Sequence, residues 1–321
     1  MEALEIKNKR LVKTTLPKPA PSDEEVLIKV CSAGINRPDI LQRQGLYPPP
    51  KGASDIPGLE VAGEIVESRH PAWAKGDLVC ALLAGGGYAE YAVANGDLCL
   101  PVPSGLSCNE AASLPETYFT VWNNLFYLNE MRADQTILIH GGSSGIGVAA
   151  IQIVKAMGGI PYCTARNTEK CNKCIELGAE AAINYEEEDF VSRIKDLTYG
   201  KGVDYVLDMV GGDYLDRNID CLSEGGVHIS IAFLGGAKSS ITLPKIMKKR
   251  CWLTGSTLRD RPHDEKSQIG RDLKKFIWPK LESGEIKPVI DSVFDFGDSM
   301  SAHKKMENST HIGKIVLTLA G

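Results

Sequence analysis

The residues with the clearest chemical potential form one turn, Gly141-Gly142-Ser143-Ser144-Gly145-Ile146-Gly147. An apolar run at 136–139 enters it and a helical pattern at 145–155 leaves it. Glycines let a backbone bend tightly and approach an anion. The unpaired N–H groups of a helix's first turn then point at that anion. A second apolar run at 160–165 follows Gly158 and Gly159, completing a βαβ unit of about 30 residues, the length a dinucleotide fold uses. Gly142, Ser144, Gly145, Ile146 and Gly147 are therefore candidate cofactor-binding residues. Ser144 stands where the G-x-G-x-x-G pattern has its middle glycine, so its N–H or hydroxyl is a candidate phosphate donor.

The same turn also reads as G-x-S-x-G, a nucleophile elbow between strand and helix. Ser143 would then be the nucleophile, with Asp208 and one of His228, His263, His303 or His311 following in triad order. Gly145 and Gly147 lie where close helix–strand packing and a diphosphate need them, which favours the cofactor. The hydrolase alternative stays open on the residues alone.

The end of the second strand bears on which dinucleotide is bound. Dehydrogenases that select NAD place Asp or Glu there to accept both ribose hydroxyls. This chain has Thr164-Ala165-Arg166-Asn167, with Lys170 one helical turn on. A guanidinium pairs with a 2′-phosphate where a carboxylate repels it. The expected cofactor is NADPH, with Arg166 and Lys170 as its selectors.

Composition excludes several function classes. With 36 Lys and Arg against 41 Asp and Glu, the net charge is −5. There is no basic excess of the kind nucleic-acid binding needs. No apolar run approaches the roughly 20 residues of a membrane span, and the acidic start Met1-Glu2-Ala3-Leu4-Glu5 lacks a signal-peptide plan. The expected location is the cytoplasm. Nine scattered cysteines do not make a disulfide framework. One C-x-x-C pair, Cys171 and Cys174, lies inside a predicted helix rather than opening one, which argues against redox chemistry.

The elements that must position these residues fall into three stretches. Residues 1–115 carry short β-like runs at 25–30, 61–66, 77–82 and 88–93, as a mainly antiparallel β domain would. Residues 116–255 alternate helix and strand and predict a doubly wound parallel sheet of about six strands, with helices at 168–177, 187–197 and 214–221. Residues 256–321 form a short α/β tail with helices at 265–281 and 299–307. The fold class is α/β: a Rossmann sheet plus a mainly antiparallel β domain.

This order resembles the medium-chain dehydrogenases/reductases, in their zinc-free quinone oxidoreductase branch and most closely the p53-inducible type. The resemblance is carried by Gly34-Ile-Asn-Arg-Pro-Asp39, Arg43-Gln-Gly-Leu-Tyr47 with Pro48 to Pro50, Pro57-Gly-Leu-Glu60-Val-Ala-Gly63, Lys75-Gly-Asp77, the turn at 141–147, Ile183-Asn-Tyr185, Asp208-Met-Val-Gly-Gly212 and Ile312-Gly-Lys314. It implies that the β domain is GroES-like and catalytic, and that the tail returns to it. Zinc-dependent relatives need a thiolate and a histidine where this chain has Asn36 and Leu59. An amide and an alkyl chain cannot supply those ligands, so no metal is expected.

The family pattern further implies Asn36, Tyr47 and Thr120 near the nicotinamide, and Tyr185 by the adenosine phosphate. It also places the backbone after Phe233 there. Phe233 equally suits core packing, and His311 equally suits the surface. Without metal or flavin, hydride passes directly to an activated acceptor, a quinone or conjugated enone. Tyr47 is the candidate proton donor, with Asn36 orienting the reactants; an aromatic lid is the alternative for Tyr47. Two rival functions remain. One is an enoyl-thioester reductase using Arg259, Arg261 and Lys248-Lys249-Arg250 on a phosphate-bearing carrier. The other is an NADPH-binding structural or regulatory protein. A homodimer joined through the strand at 251–255 is also expected.

Overall fold

The computed structural model describes residues 1–319. The chain forms two compact units, Met1–Phe119 with the tail from Leu258 onward, and Thr120–Thr257.

The first unit begins with β1 (Glu2–Lys7) and β2 (Arg10–Thr15), a hairpin paired Lys7 to Arg10. Its two loop residues, Asn8 and Lys9, both have positive φ (51° and 61°), the conformation whose twist suits two-residue hairpins. Then come β3 (Glu25–Ile35), α1 (Arg37–Gln44), β4 (Glu60–Ser68), β5 (Leu78–Leu82), β6 (Tyr91–Asn95), β7 (Cys99–Pro101), α2 (Cys108–Ala111) and α3 (Pro115–Trp122). The run expected as a strand from 88 pairs with β3 only from Tyr91, because residues 88–90 turn to β1 instead: Ala89 bridges Ala3, Leu4 N–H donates to Tyr88 O at 2.9 Å and Glu90 N–H to Glu2 O at 3.0 Å, while the buried Tyr88 hydroxyl meets His303 Nε2 at 3.1 Å.

The second unit alternates β8 (Thr136–Ile139), α4 (Gly145–Ala156), β9 (Ile160–Ala165), α5 (Thr168–Glu176), β10 (Ala181–Asn184), α6 (Phe190–Leu197), β11 (Val203–Asp208), α7 (Tyr214–Cys221), β12 (Leu222–Ser230), α8 (Leu243–Lys249) and β13 (Trp252–Gly255). Helix α6 starts at Phe190 and not at 187, since the Asp189 carboxylate accepts from Ser192 N–H at 2.8 Å and caps it there. All six strands are parallel, in the order β10-β9-β8-β11-β12-β13. The order reverses beside β8, so the turn after β8 opens at the switch point where α/β sheets bind ligands. Leu138, Val206, Ile183, Phe190, Ile194 and Ile219 fill one core of this unit.

The tail supplies α9 (His263–Phe276), α10 (Trp278–Glu282), β14 (Ile290–Asp295), α11 (Ser299–Glu307) and β15 (Lys314–Thr318). The single helix expected over 265–281 breaks at Ile277 because Pro279 has no N–H and its ring crowds the preceding turn. Strand β15 pairs antiparallel with β3, Ile315 facing Ile35, and the sheet runs β14-β15-β3-β4-β5-β7. Ile315, Leu317, Ala302 and Met306 share one buried core with Val26, Ile28, Val61 and Val79. Each large aliphatic side chain so buried contributes about 1.5–3 kcal/mol, which is what fastens the tail to the first sheet.

Candidate active site

In the second unit, the turn after β8 is held by its glycines. A Cβ on Gly147 would sit 2.3 Å from Gly141 O and 2.5 Å from Gly142 O, so only glycine lets α4 rest on the loop. A Cβ on Gly142 would meet Cys163 Sγ at 2.7 Å and Cys174 Sγ at 3.0 Å. Cys174 is thus floor packing beneath the turn. Its C-x-x-C partner Cys171 is buried too, and burial first, then Cys174, pushes that thiol up to about 11. A thiol so raised is not poised for redox exchange.

Ser144 caps α4: its Oγ accepts from Gly147 N–H at 3.0 Å, while its own N–H donates to Gly141 O at 2.9 Å. The N–H is thus spent on the turn, while the hydroxyl proton meets only Met209 Sδ at 3.6 Å. The backbone donors left for an anion are the first-turn N–H groups of Gly145 and Ile146, which have no acceptor within a helix. Ser144, Gly145 and Ile146 are partly exposed, whereas Gly142, Ser143 and Gly147 are buried.

Arg166 and Tyr185 leave adjacent strands side by side, because β9 and β10 pair Ala165 with Asn184. Arg166 Nε donates to the Tyr185 hydroxyl at 3.2 Å, and Glu186 Oε1 lies 3.9 Å from it. The guanidinium is over half exposed, at 54%. Lys170 is 8% exposed, its backbone N–H bonded to the Asn167 cap of α5. Phe233 is 63% exposed, which removes core packing as its role. It stands beyond β12, where Leu234 N–H bonds Met209 O and Gly235 N–H bonds Val210 O. Thr120 is half-buried and its carbonyl accepts from Asn124 Nδ2 at 2.9 Å.

Among the described residues no hydrogen bond joins Ser143 to a histidine. His228 and Asp208 do pair, at 3.1 Å, but through His228 Nε2, and that nitrogen's other neighbour is Asn218 Nδ2. Both residues are buried to 1% or less. Asp208 also accepts from Val210 and Gly211 N–H groups, so the pair fixes the turn after β11. His303 is committed to Tyr88, and burial lowers its pKa to about 3.

In the first unit, Asn36 ends β3 and caps α1. Its N–H donates to Asp39 Oδ2 at 2.8 Å. Its side chain is held at both ends: Nδ2 donates to Glu60 Oε1 at 2.9 Å, and Oδ1 accepts from Lys314 Nζ at 2.6 Å. Lys314 Nζ also donates to Glu60 Oε1 at 2.6 Å and Ile35 O at 3.1 Å. Glu60 Oε2 accepts from Glu116 N–H at 2.8 Å. Every member of the Asn36–Glu60–Lys314 cluster is at least nine-tenths buried. Gly34 makes room for it, since a Cβ there would fall 2.0 Å from Glu60 Oε1. Asp39, pushed up to about 6 mainly by burial, and Glu116, pushed up to about 8 by burial and then by Glu60, complete the polar floor.

Tyr47 follows the α1 C-cap, Gly45, whose φ is +81°. The half-buried ring has the Arg259 guanidinium 5.4 Å from its centroid. Burial, then Asp260 and Glu116, raises the phenol's pKa, so it stays a donor at neutral pH. His311 is half-buried in the loop before β15, next to Ile312, whose N–H bonds Asp291. Sequence reasoning gave Lys314 no chemical role.

Two family models match the chain: an alcohol dehydrogenase GroES-like domain over residues 22–104, and a zinc-binding dehydrogenase over 145–273. The quinone oxidoreductase of Mus musculus is 32% identical over 308 residues, covering 94% of this chain and 91% of its own. The chain belongs to the medium-chain dehydrogenase/reductase family. The Homo sapiens quinone oxidoreductase is likewise 32% identical, over 94% of this chain and 91% of its own. Among solved structures, a mycobacterial protein complexed with NADPH superposes with a TM-score of 0.87 at 26% identity, covering 99% and 100% of the two chains. The JamJ enoyl reductase superposes with a TM-score of 0.87 at 25% identity over 99% of each. This member of the family is an oxidoreductase by kinship.

The family name raises zinc, and the residues here do not fit it. Asn36 offers an amide already bonded at both ends, Leu59 an alkyl chain, and Glu60 a carboxylate already neutralised by Lys314. Among the described residues no three His, Cys, Asp or Glu side chains converge as metal ligands. A nicotinamide dinucleotide does fit. The α4 N-terminus offers backbone donors to a diphosphate, and the exposed Arg166–Tyr185 pair offers a cation and a hydroxyl at the strand ends.

Proposed function

We propose that this protein is an NADPH-dependent, metal-independent quinone oxidoreductase that reduces quinones or conjugated enones. The observation that carries the reading is the Lys314–Glu60 pair. An internal ammonium stands on the one carboxylate left at the family's metal position, which supports a reaction on an acceptor that needs no Lewis acid. Quinones and enones are such acceptors, because the electrons they take up are delocalised onto oxygen. Kinship with quinone oxidoreductases over 94% of the chain supports the same class.

When bound, NADPH supplies the hydride. Gly145 and Ile146 N–H groups hold its diphosphate, Gly142 and Gly147 shape the turn, and Arg166 with Tyr185 takes the 2′-phosphate. Phe233, Thr120 and His311 stay in this proposal as contacts to the remainder of the cofactor. Tyr47 donates a hydrogen bond, then a proton, to the acceptor oxygen; its raised pKa keeps that proton in place until charge develops. Asn36, locked by Glu60 and Lys314, presents its second amide hydrogen in a fixed direction.

The test is a substrate panel: NADPH oxidation with a small quinone, a conjugated enone and an enoyl-CoA, with and without chelator. Quinone turnover indifferent to chelator is expected. Turnover confined to enoyl-CoA would favour the enoyl reductase reading, which the JamJ likeness supports. Three of the basic residues that reading would use are already engaged: Arg250 with Glu224, Arg261 with Glu265, and Lys249 with the Asp220 and Leu222 carbonyls. No turnover of any acceptor would leave an NADPH-binding structural protein.

The proposal includes a homodimer. Strand β13 is a sheet edge, every residue of it is exposed, and Trp252 is 69% exposed. Apolar edges of this kind invite pairing with a second copy. Light scattering should give twice the 34.8 kDa chain mass, and Trp252→Asp should return the monomer.

A further inference from the structure

The guanidinium beside Tyr47 is incompletely used. Arg259 is 7% exposed. Its Nε donates to Ala84 O at 2.8 Å; Nη2 donates to the same carbonyl at 2.5 Å and to Gln42 Oε1 at 3.0 Å. Its third nitrogen, Nη1, is buried and has no hydrogen-bond partner among the described residues, nor does Arg259 form an ion pair there. Carbonyl and amide oxygens thus fix the plane of the group while its full positive charge is left without a counter-ion. A buried charge without a counter-ion is costly. Burial accordingly pulls its pKa down, against the pull of Tyr47, Asp39, Glu116 and Asp260. A surface role in binding a carrier phosphate is closed to a residue held this way.

We propose that Arg259 Nη1 binds the acceptor oxygen that becomes anionic on hydride addition, so that Arg259 and Tyr47 together form an oxyanion site within the first unit. This rests on the quinone or enone reading above. Hydride from the reduced nicotinamide would break its C4–H bond and form a C–H bond at the acceptor carbon, leaving the oxidised nicotinamide, while the conjugated π pair would move onto the acceptor oxygen. The oxyanion lies against Nη1 until the Tyr47 phenol transfers its proton, and solvent restores Tyr47. The fork geometry matters: with Nε and Nη2 clamped on Ala84 O, Nη1 is already oriented before the acceptor arrives. Preorganised donors of that kind stabilise developing charge without reorganisation. Arg259 is then a catalytic residue, and Gln42 a positioning residue that acts through it.

The experiment uses 4-nitrophenolate, whose phenolate oxygen resembles the developing oxyanion and whose absorbance reports protonation, with 4-nitroanisole as the uncharged control. Wild-type protein should bind the phenolate in preference to the anisole and lower the apparent pKa of the bound phenol. Arg259→Gln should lose at least about tenfold of that preference, and Arg259→Lys should keep part of it, having the charge without the fork. Quinone kcat/KM should fall about a hundredfold in Arg259→Gln. The wild-type titration needs no variant to fold: equal affinity for the two probes, or a raised pKa, would overturn the proposal. So would full preference retained in Arg259→Gln. Phenolate preference in a protein that reduces no quinone or enone would instead sink the functional reading and leave the anion site standing.

Discussion

The two polar sites of this molecule are built in opposite ways. In the first unit, Asn36, Glu60 and Lys314 satisfy one another in the dry interior. In the second, Arg166 and the N-terminus of α4 face outward, with backbone donors that the fold itself leaves unmet. The closed cluster meets its own hydrogen-bonding needs at folding. The open site is completed only by a ligand. Substitutions in the closed cluster should therefore register first as stability, and substitutions in the open site as binding.

The largest effect is expected from Lys314→Met. It strands the Glu60 carboxylate in the interior, and breaking a buried pair from one side costs about 3–5 kcal/mol. Urea unfolding should show that loss. Adding Glu60→Gln should recover most of it, because the uncompensated charge is then gone. A single variant as stable as wild type would mean that the cluster is not closed.

Arg166→Ala should leave stability almost untouched and weaken NADPH binding by about tenfold to a hundredfold, the worth of a charge-assisted contact. NADH affinity should barely change. Titration of both cofactors against both proteins checks this, and equal losses for the two cofactors would remove Arg166 as the selector.

A smaller, pH-dependent effect is expected at Glu116. Its carboxyl is raised from 4.5 to about 8 by burial, then by Glu60 and Asp39, against Lys314 and Arg259. A carboxyl raised in the fold stabilises while protonated: the contribution is complete below about 4.5 and lost as pH climbs through about 8. Glu116→Gln has no proton to lose. Its Tm relative to wild type should therefore rise across that window, and a parallel pair of Tm-against-pH curves would contradict the assignment.

The contrast between the sites also explains what was legible in the chain. The turn at 141–147 could be read because backbone geometry imposes a local glycine pattern, and the parallel, doubly wound sheet followed from the alternation of elements. The place of Arg166 at the end of β9 could be read because it sits at a fixed distance from that turn. Lys314 could not be read in the same way: its partners are 254 and 278 residues away in sequence, and nothing local marks a lysine that will be buried. Ser144 could be read in two ways for a related reason. A serine at that point serves a phosphate or a helix cap equally well in sequence, and only the structure shows its Oγ on Gly147 N–H. The break at Ile277 was in principle visible in Pro279, but a continuous apolar pattern on either side concealed it.

The central claim is that hydride transfer here is assisted by a phenol and not by a metal. The most direct measurement is steady-state reduction of a small quinone by NADPH, in chelator, for wild type and Tyr47→Phe. Loss of a hydroxyl that stabilises charge only in the transition state should lower kcat and kcat/KM together, by about tenfold to a thousandfold. Wild-type rates in Tyr47→Phe, or activity that disappears with chelator and returns with zinc, would contradict the account.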